Sequence, residues 1–355
     1  MPLKDFKASN FRCLRRVSLE ADPQFNLIHG PNASGKTSML EAIAYLGRGK
    51  SFRGARPQDL VRYGTAGFQL HGRADTGTRL AAVGVRNSGA GLEVRIDGDR
   101  ETSAAALVEI LPLQVVDPDI HNLVAGGPER RRRYLDWIAF HVKQGYSEWW
   151  RRLNRALRQR NAGLRHGMSR VSIAVWDQEF LEAAAQVDEM RRSVLEHSRK
   201  TLEETGSALL DCTVGFEYRQ GWAVEQGLED SLAASWHRDL ATGVTQVGPH
   251  RADLGLIYEE RQARRFVSRG QQKLLASAMV LAATEAVQAV LERPLLLLLD
   301  DPAAELDQAS LDRLMRGVFS LGCQVVATAL VPEAVEFPGP PALFHVEHGK
   351  LRQGQ

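Results

Sequence analysis

Apolar and polar positions alternate with a strand-like period from Leu3 to Phe11 and again from Phe25 to His29. The second stretch runs into a glycine-rich loop, and a helical period then takes over from Lys36 to Leu46. Residues 66 to 116 read as β-rich: short apolar runs are broken by glycines, by Asn87-Ser88-Gly89 and by Asp97-Gly98. From Pro128 to Thr205 the pattern is helical. Trp149, Leu153 and Leu157 share one face there, and Arg151, Arg155 and Arg158 share another. No Gly or Pro lies between Met168 and Thr205, and Phe180, Ala184, Val187, Met190 and Val194 recur at helix spacing. That predicts a helix on the order of 50 Å long. After residue 245 strand and helix alternate again, with a helix over Gln271 to Leu291, a buried strand over Leu295 to Leu299 and a last strand near Val325. The pattern predicts one α/β domain built from both chain ends, residues 1–120 and 245–355. A mainly helical domain, residues 121–244, interrupts it.

Composition narrows this only slightly. A chain of 355 residues holds two domains, or one with a large insertion. The net charge of +2 means that any nucleic-acid surface must be a local concentration of charge. Cys13, Cys212 and Cys323 form no CxxC pair, which argues against a disulfide scaffold or a structural zinc site and fits a reducing cytosol. The opening Met-Pro-Leu-Lys-Asp-Phe has no apolar core of signal-peptide length. The apolar run Leu295 to Leu299 is far short of the roughly 20 residues needed to span a bilayer. The expectation is a soluble, cytoplasmic protein with no membrane partner.

The chemistry begins at Gly30-Pro31-Asn32-Ala33-Ser34-Gly35-Lys36-Thr37, a complete G-x-x-x-x-G-K-[ST] between a predicted strand and a predicted helix. Glycines let backbone N–H groups close around phosphate oxygens, and Lys36 brings a cation to the β/γ-phosphates. Thr37 offers a hydroxyl to Mg²⁺, and the helix that continues through Ser38 points its positive end at the anion. ATP and Mg²⁺ are the cofactors this loop calls for.

Leu295 to Leu299 ends in Asp300-Asp301, an apolar strand closed by two carboxylates. Asp300 is placed to hold Mg²⁺ and Asp301 to orient or deprotonate the attacking water, so Lys36, Asp300 and Asp301 form the catalytic set. About thirty residues earlier, Val267-Ser268-Arg269-Gly270-Gln271-Gln272 opens a helix and resembles the signature sequence of ABC ATPases. In that class the signature binds the γ-phosphate held by a second subunit, here through Ser268, Gly270 and Gln271. Ala303-Ala304-Glu305-Leu306-Asp307 resembles the D-loop of the same proteins, Thr328 stands where many of them carry a switch histidine, and Gln114 is the candidate Mg²⁺-sensing glutamine.

The long separation of Lys36 from Asp300 exceeds what a compact transporter ATPase needs. It is far too short for the long arm of a chromosome-condensing ATPase. Within that frame several further stretches resemble the RecF family. These are Asn10-Phe11-Arg12; Leu46-Gly47-Arg48-Gly49-Lys50-Ser51-Phe52-Arg53; Asp117-Pro118-Asp119; Gly126-Gly127-Pro128-Glu129 with Arg130 to Asp136; and Gly248-Pro249-His250-Arg251-Ala252-Asp253. Two departures stand out: Ala304 replaces the usual D-loop Ser, and Val267 replaces the signature's leading Leu.

The resemblance implies an ABC/SMC-like ATPase head carrying an inserted helical arm, with Arg12 among the nucleotide-binding residues. It implies a weak, DNA-stimulated ATPase that dimerises around ATP. It also implies recombinational repair of gapped DNA, replication-fork maintenance and the SOS response, with RecO- and RecR-like partners. The residues themselves point to DNA through an arginine cluster, of which Arg130, Arg131, Arg151, Arg155 and Arg158 are the candidate phosphate contacts. Nothing resembles a base-reading helix, so binding to single-stranded or gapped DNA is expected to be independent of sequence. The pair Trp149-Trp150 is read as core packing rather than base stacking. His250 and Arg251 read equally as a buried polar turn or as groups facing nucleotide or DNA. Two other readings compete: the nucleotide-binding subunit of a membrane transporter, and an ATP-dependent DNA clamp that does not hydrolyse ATP.

Overall fold

The computed structural model describes residues 2–89, 91–101 and 103–353. The chain divides into two compact units, residues 1–120 with 292–355, and residues 121–291. In the first unit β1 (Leu3–Phe11) and β2 (Leu14–Glu20) form a tight hairpin, followed by β3 (Phe25–His29) and α1 (Lys36–Arg48). Next come β4 (Gly67–Asp75), β5 (Leu80–Ser88), β6 (Gly91–Ile96), β7 (Asp99–Glu101), α2 (Ala105–Ile110) and β8 (Leu113–Val116). An antiparallel sheet takes the order β2-β1-β4-β5-β6-β7. Its alternation is plain in β4, where Phe68, Leu70 and Ala74 are buried while Gln69, His71 and Arg73 are exposed. The inner face meets α1 through Phe11, Tyr45 and Phe68, whose rings stand edge to face with centroids 5.0 to 6.1 Å apart. Burying each such ring contributes about 1.5–3 kcal/mol.

The second unit starts with α3 (Asn122–Ala125), α4 (Pro128–Val142) and α5 (Tyr146–Arg165), then α6 (Arg170–Leu210). At 41 residues α6 is about 60 Å long, and Ser169 caps it by accepting from the Ser172 N–H. Then follow β9 (Val214–Arg219), α7 (Gly227–Ala234), α8 (Trp236–Thr242), β10 (Asp253–Tyr258), β11 (Arg261–Gln262), α9 (Ala263–Phe266) and α10 (Arg269–Leu291). Strand β9 was not expected in the helical segment before residue 245; it joins β10 and β11 in the small antiparallel sheet β11-β10-β9.

Residues 245–291, expected in the α/β domain, group instead with the helical unit. The cause is α10, which packs against α3, α4 and α6 and is buried at every position from Lys273 to Thr284. By length and composition alone α10 is apolar enough to cross a membrane. Its burial among three helices makes it the core helix of this unit.

The chain then returns to the first unit with β12 (Leu296–Leu299), α11 (Gln308–Ser320), β13 (Gln324–Ala329), β14 (Ala342–Glu347) and β15 (Lys350–Gln353). A second sheet has the order β15-β14-β3-β13-β12-β8, parallel except for β15. Every residue of β12, β13 and β8 is buried, as expected for strands covered on both faces. The strands β3, β13 and β12 are consecutive and parallel, so the loops leaving their carboxyl ends gather at one edge. Ligand crevices of open α/β sheets form at such an edge.

Candidate nucleotide site

Gly30 leaves the end of β3 with φ 150, Ala33 has φ 61 and Gly35 has φ 117, and these positive values fold the backbone over itself. A Cβ on Gly30 would stand 2.2 Å from the Val346 carbonyl oxygen, so only glycine fits. The loop is tied on its far side by the Gly349 N–H, which donates to the Ser34 carbonyl at 2.9 Å. Pro31, Asn32 and Ala33 are exposed at the tip, while Ser34 and Gly35 are buried. Ser38 lies one residue into α1 beyond Thr37, with its Oγ 3.6 Å from the Cys13 sulfur.

Lys36 donates from Nζ to the carbonyls of Gly30 at 2.7 Å and Pro31 at 3.0 Å, which places the ammonium across the loop. Burial lowers its pKa, and the charges of Asp301 and Asp300 pull it back up. Thr37 Oγ1 donates to Asp300 Oδ1 at 3.0 Å. Asp300 is almost fully buried at the end of β12, and burial raises its pKa against the opposing hydrogen bonds from Thr328 and Thr37. A hydroxyl and a carboxylate, 3.0 Å apart beside a phosphate-binding loop, are a fitting donor set for Mg²⁺, a hard cation held by one or two protein oxygens plus phosphates and water. Asp301 is exposed and left-handed at φ 49, with its N–H given to Thr328 Oγ1 at 2.9 Å.

Two expected members of this site have other partners. Gln114 sits in β8 opposite Leu297, three residues short of the level of Asp300, or about 10 Å along the sheet. Its Oε1 accepts from Arg48 Nη2 at 3.2 Å. Assignment of Gln114 to the metal is therefore corrected: its level in the sheet is too far back. Arg12, at φ 51 in the turn between β1 and β2, commits Nε and Nη2 to Glu41 of α1 at 2.8 and 2.9 Å. The second N–H of Nη2 and those of Nη1 are left for the expected nucleotide contact, with Nη1 making a long 3.4 Å approach to the Asp59 carbonyl.

The sequence reading overlooked Glu41, Arg53 and the contact made by Thr328. Glu41 is fully buried and also accepts from Ser51 Oγ, while the Arg53 charge lowers the Asp300 pKa. Glu41 was signalled by standing among Leu40, Ala42, Ile43 and Ala44 on an apolar helix.

In the helical unit Ser268 precedes α10, and its Oγ accepts the Gln271 N–H while Gln271 Oε1 accepts the Ser268 N–H. This reciprocal capping box leaves the Ser268 hydroxyl proton to be donated, with Ser268 exposed and Gly270 half-buried. His250 settles into a polar turn: Nε2 is 2.9 Å from the Thr245 carbonyl, so the proton is on that nitrogen, and Arg251 donates to the same oxygen. Burial pushes the His250 pKa down to about 4.

The arginine cluster divides. Arg130, Arg151, Arg155 and Arg158 are exposed. Arg131 is 5% exposed, paired with Asp253 and donating to the carbonyls of Leu123, Val124 and Gly126. Its assignment to DNA is corrected, because all of its guanidinium nitrogens are spent holding α4 to β10, to α3 and to Gly126. Arg160 is likewise internal, bound to Asp177, Asp239 and Thr245. Trp149 and Trp150 are not core residues: Trp150 is 41% exposed, and the Arg152 guanidinium covers the half-buried Trp149 ring at 4.2 Å.

The sequence is similar to known proteins over its whole length. Residues 2–342 match the RecF/RecN/SMC N-terminal domain. The DNA replication and repair proteins RecF of Pseudomonas paraeruginosa (strain PA7) and Pseudomonas fluorescens (strain SBW25) are each 39% identical over 361 residues. Those alignments cover 99% of this chain and 98% of the relative. Among solved structures, the recombination mediator protein RecF with ATP, of the RecFOR pathway, superposes with a TM-score of 0.88 at 25% identity, covering 100% of this chain and 98% of that one. An Smc head domain from Pyrococcus furiosus shares the fold at a TM-score of 0.61 and 16% identity, covering 100% of this chain and 96% of that chain. Full-length identity at that level, on a head that carries the complete phosphate loop and its acidic strand, places the chain in the RecF family.

Proposed function

We propose that this RecF-family chain is an ATP-dependent DNA-binding protein of replication and recombinational repair, acting in the cytoplasm as a switch that dimerises around ATP. The observation that carries the reading is the pairing of Thr37 with Asp300 at 3.0 Å beside the phosphate loop. Lys36 leaves the loop carbonyls to meet the β/γ-phosphates, and loop N–H groups take the phosphate oxygens. Thr37 and Asp300 would hold Mg²⁺, which would neutralise charge on the phosphates. Asp301 orients the attacking water. One methylene shorter than Glu, it reaches less far, which suits slow hydrolysis stimulated by DNA. Ser268, Gly270 and Gln271 of a second copy close each site over the γ-phosphate. Family kinship supports gapped or single-stranded DNA as the substrate, RecO- and RecR-like proteins as partners, and fork maintenance and the SOS response as the setting. The same kinship sets aside the transporter reading.

Oligomeric mass tests this directly, measured without nucleotide, with ATP and Mg²⁺, and with the Ser268→Arg variant under ATP. Dimer formation by the parent chain and not by the variant is the expected result. Binding of ATP with no change of mass would remove the switch. Phosphate release no faster than that of Lys36→Ala, with DNA present, would favour the non-hydrolysing clamp.

A further inference from the structure

Thr328 is fully buried and next to last in β13, the strand between β12 and β3. Ladder pairing on both sides fixes its backbone, with Ala327 opposite Leu299 and Thr328 opposite Ile28. Its β-branched side chain has little rotamer freedom. Two contacts meet at its hydroxyl: Oγ1 is 2.8 Å from Asp300 Oδ1 and 2.9 Å from the Asp301 N–H. A backbone N–H can only donate, and the ionised carboxylate can only accept. The hydroxyl is therefore locked in one orientation, with its lone pair on Asp301 and its proton on Asp300.

Asp300 Oδ1 thus receives two hydroxyl protons, from Thr328 and from Thr37. Both bonds end on the same oxygen, so the carboxylate cannot rotate without breaking them, and Oδ2 is the oxygen left to face a cation. The second contact holds Asp301 in its left-handed conformation at φ 49, which L residues adopt reluctantly. A single hydroxyl therefore sets the rotation of one acidic side chain and the backbone of the next. A histidine-type switch at this strand position would have to reach out to the phosphate. Thr328 faces inward instead.

We propose that Thr328 is the positioning residue of the metal–nucleotide site, fixing Asp300 for Mg²⁺ and Asp301 for water. This rests on the Mg²⁺–ATP reading above. Outer partners that orient a metal ligand typically change metal affinity about 10- to 100-fold when removed.

Binding of a fluorescent ATP analogue, followed in EDTA and across a Mg²⁺ titration, separates the two ideas. In Thr328→Val, affinity in EDTA should match the parent chain within about twofold, while the Mg²⁺ midpoint should rise about tenfold. Thr328→Ser and Thr328→Ala both lose the methyl and differ only in the hydroxyl, so they give the same comparison if the valine variant folds poorly. Ser should keep the parent midpoint and Ala should shift like Val. Equal midpoints for Ser and Ala would overturn the positioning role. A parent chain whose ATP affinity ignores Mg²⁺ would instead sink the underlying reading, whatever the variants did.

Discussion

Arg12 grips Glu41 with two parallel contacts of 2.8 and 2.9 Å, joining the first hairpin to the helix that follows the phosphate loop. Glu41 is wholly buried, and Arg12 is a quarter exposed. Removing the arginine strands a carboxylate that, among the described residues, only Ser51 still serves. Breaking a buried pair from one side costs about 3–5 kcal/mol, and the exposure of Arg12 puts this case at the low end. Arg12→Ala should lose about 3 kcal/mol in urea unfolding, and Arg12→Ala with Glu41→Leu should regain most of it. A double variant as weak as the single one would mean that the arginine stem, not the pair, carries the stability.

Asp300 illustrates a site held at the expense of stability. Burial lifts its pKa despite the two threonine bonds. A carboxyl raised in the fold contributes fully below its unfolded value, near 3.9, and that contribution is lost as pH rises through the folded value. Above the folded value the chain carries the whole penalty. Asp300→Asn keeps an acceptor for Thr37 and Thr328 and removes the charge. Its thermal midpoint should exceed that of the parent at pH 7 and equal it near pH 3, while phosphate release falls about 100-fold or more. A lower midpoint at pH 7 would show that the charge is stabilising.

His250 works in the opposite sense. Burial, helped by Arg251 and Arg132, holds its pKa at about 4 against an ordinary 6.5, although the Thr245 carbonyl favours the proton. A base lowered in the fold contributes fully above its unfolded pKa, and the contribution is lost as pH falls from about 6.5 to about 4. The full span corresponds to about 3 kcal/mol. Unfolding free energy should therefore fall more steeply over that range in the parent than in His250→Gln, as read by urea unfolding at pH 7, 5.5 and 4. Parallel pH profiles would remove His250 from the account.

The phosphate loop and Asp300 were legible because their chemistry is written in consecutive residues, and strand and helix periods framed them correctly. Gln114 was misread because its use depends on register. Only the pairing with Leu297 shows that it stops three residues short of Asp300. The extent of the α/β domain was misread because α10 is apolar all round, and periodicity cannot say which neighbours will bury such a helix. Thr328 lay in plain sight as a hydroxyl in an apolar strand, yet which carboxylate it meets is set by the order of β12 and β13.

Arg131 teaches the same lesson within the DNA question and leads to the sharpest test of it. Tyr134, Leu135 and Ile138 form the inward face of α4, and Arg131 stands three residues before Tyr134 and four before Leu135, whereas Arg130 is so spaced from Tyr134 alone and Arg133 from none of them. The Arg131 charge is consumed by Asp253 and three carbonyls, whereas Arg151, Arg155 and Arg158 stand exposed on α5. If that exposed row meets phosphates, replacing each arginine by Ala should weaken binding of gapped DNA evenly across sequences. Each should also lower the slope of log affinity against log salt by about one. Arg131→Ala should instead reduce unfolding free energy by about 3 kcal/mol and leave the salt slope unchanged in the protein that stays folded. Fluorescence anisotropy at several salt concentrations, paired with urea unfolding, reads both. A lower salt slope for Arg131→Ala, or an unchanged one for the three exposed variants, would move the DNA surface elsewhere on the molecule.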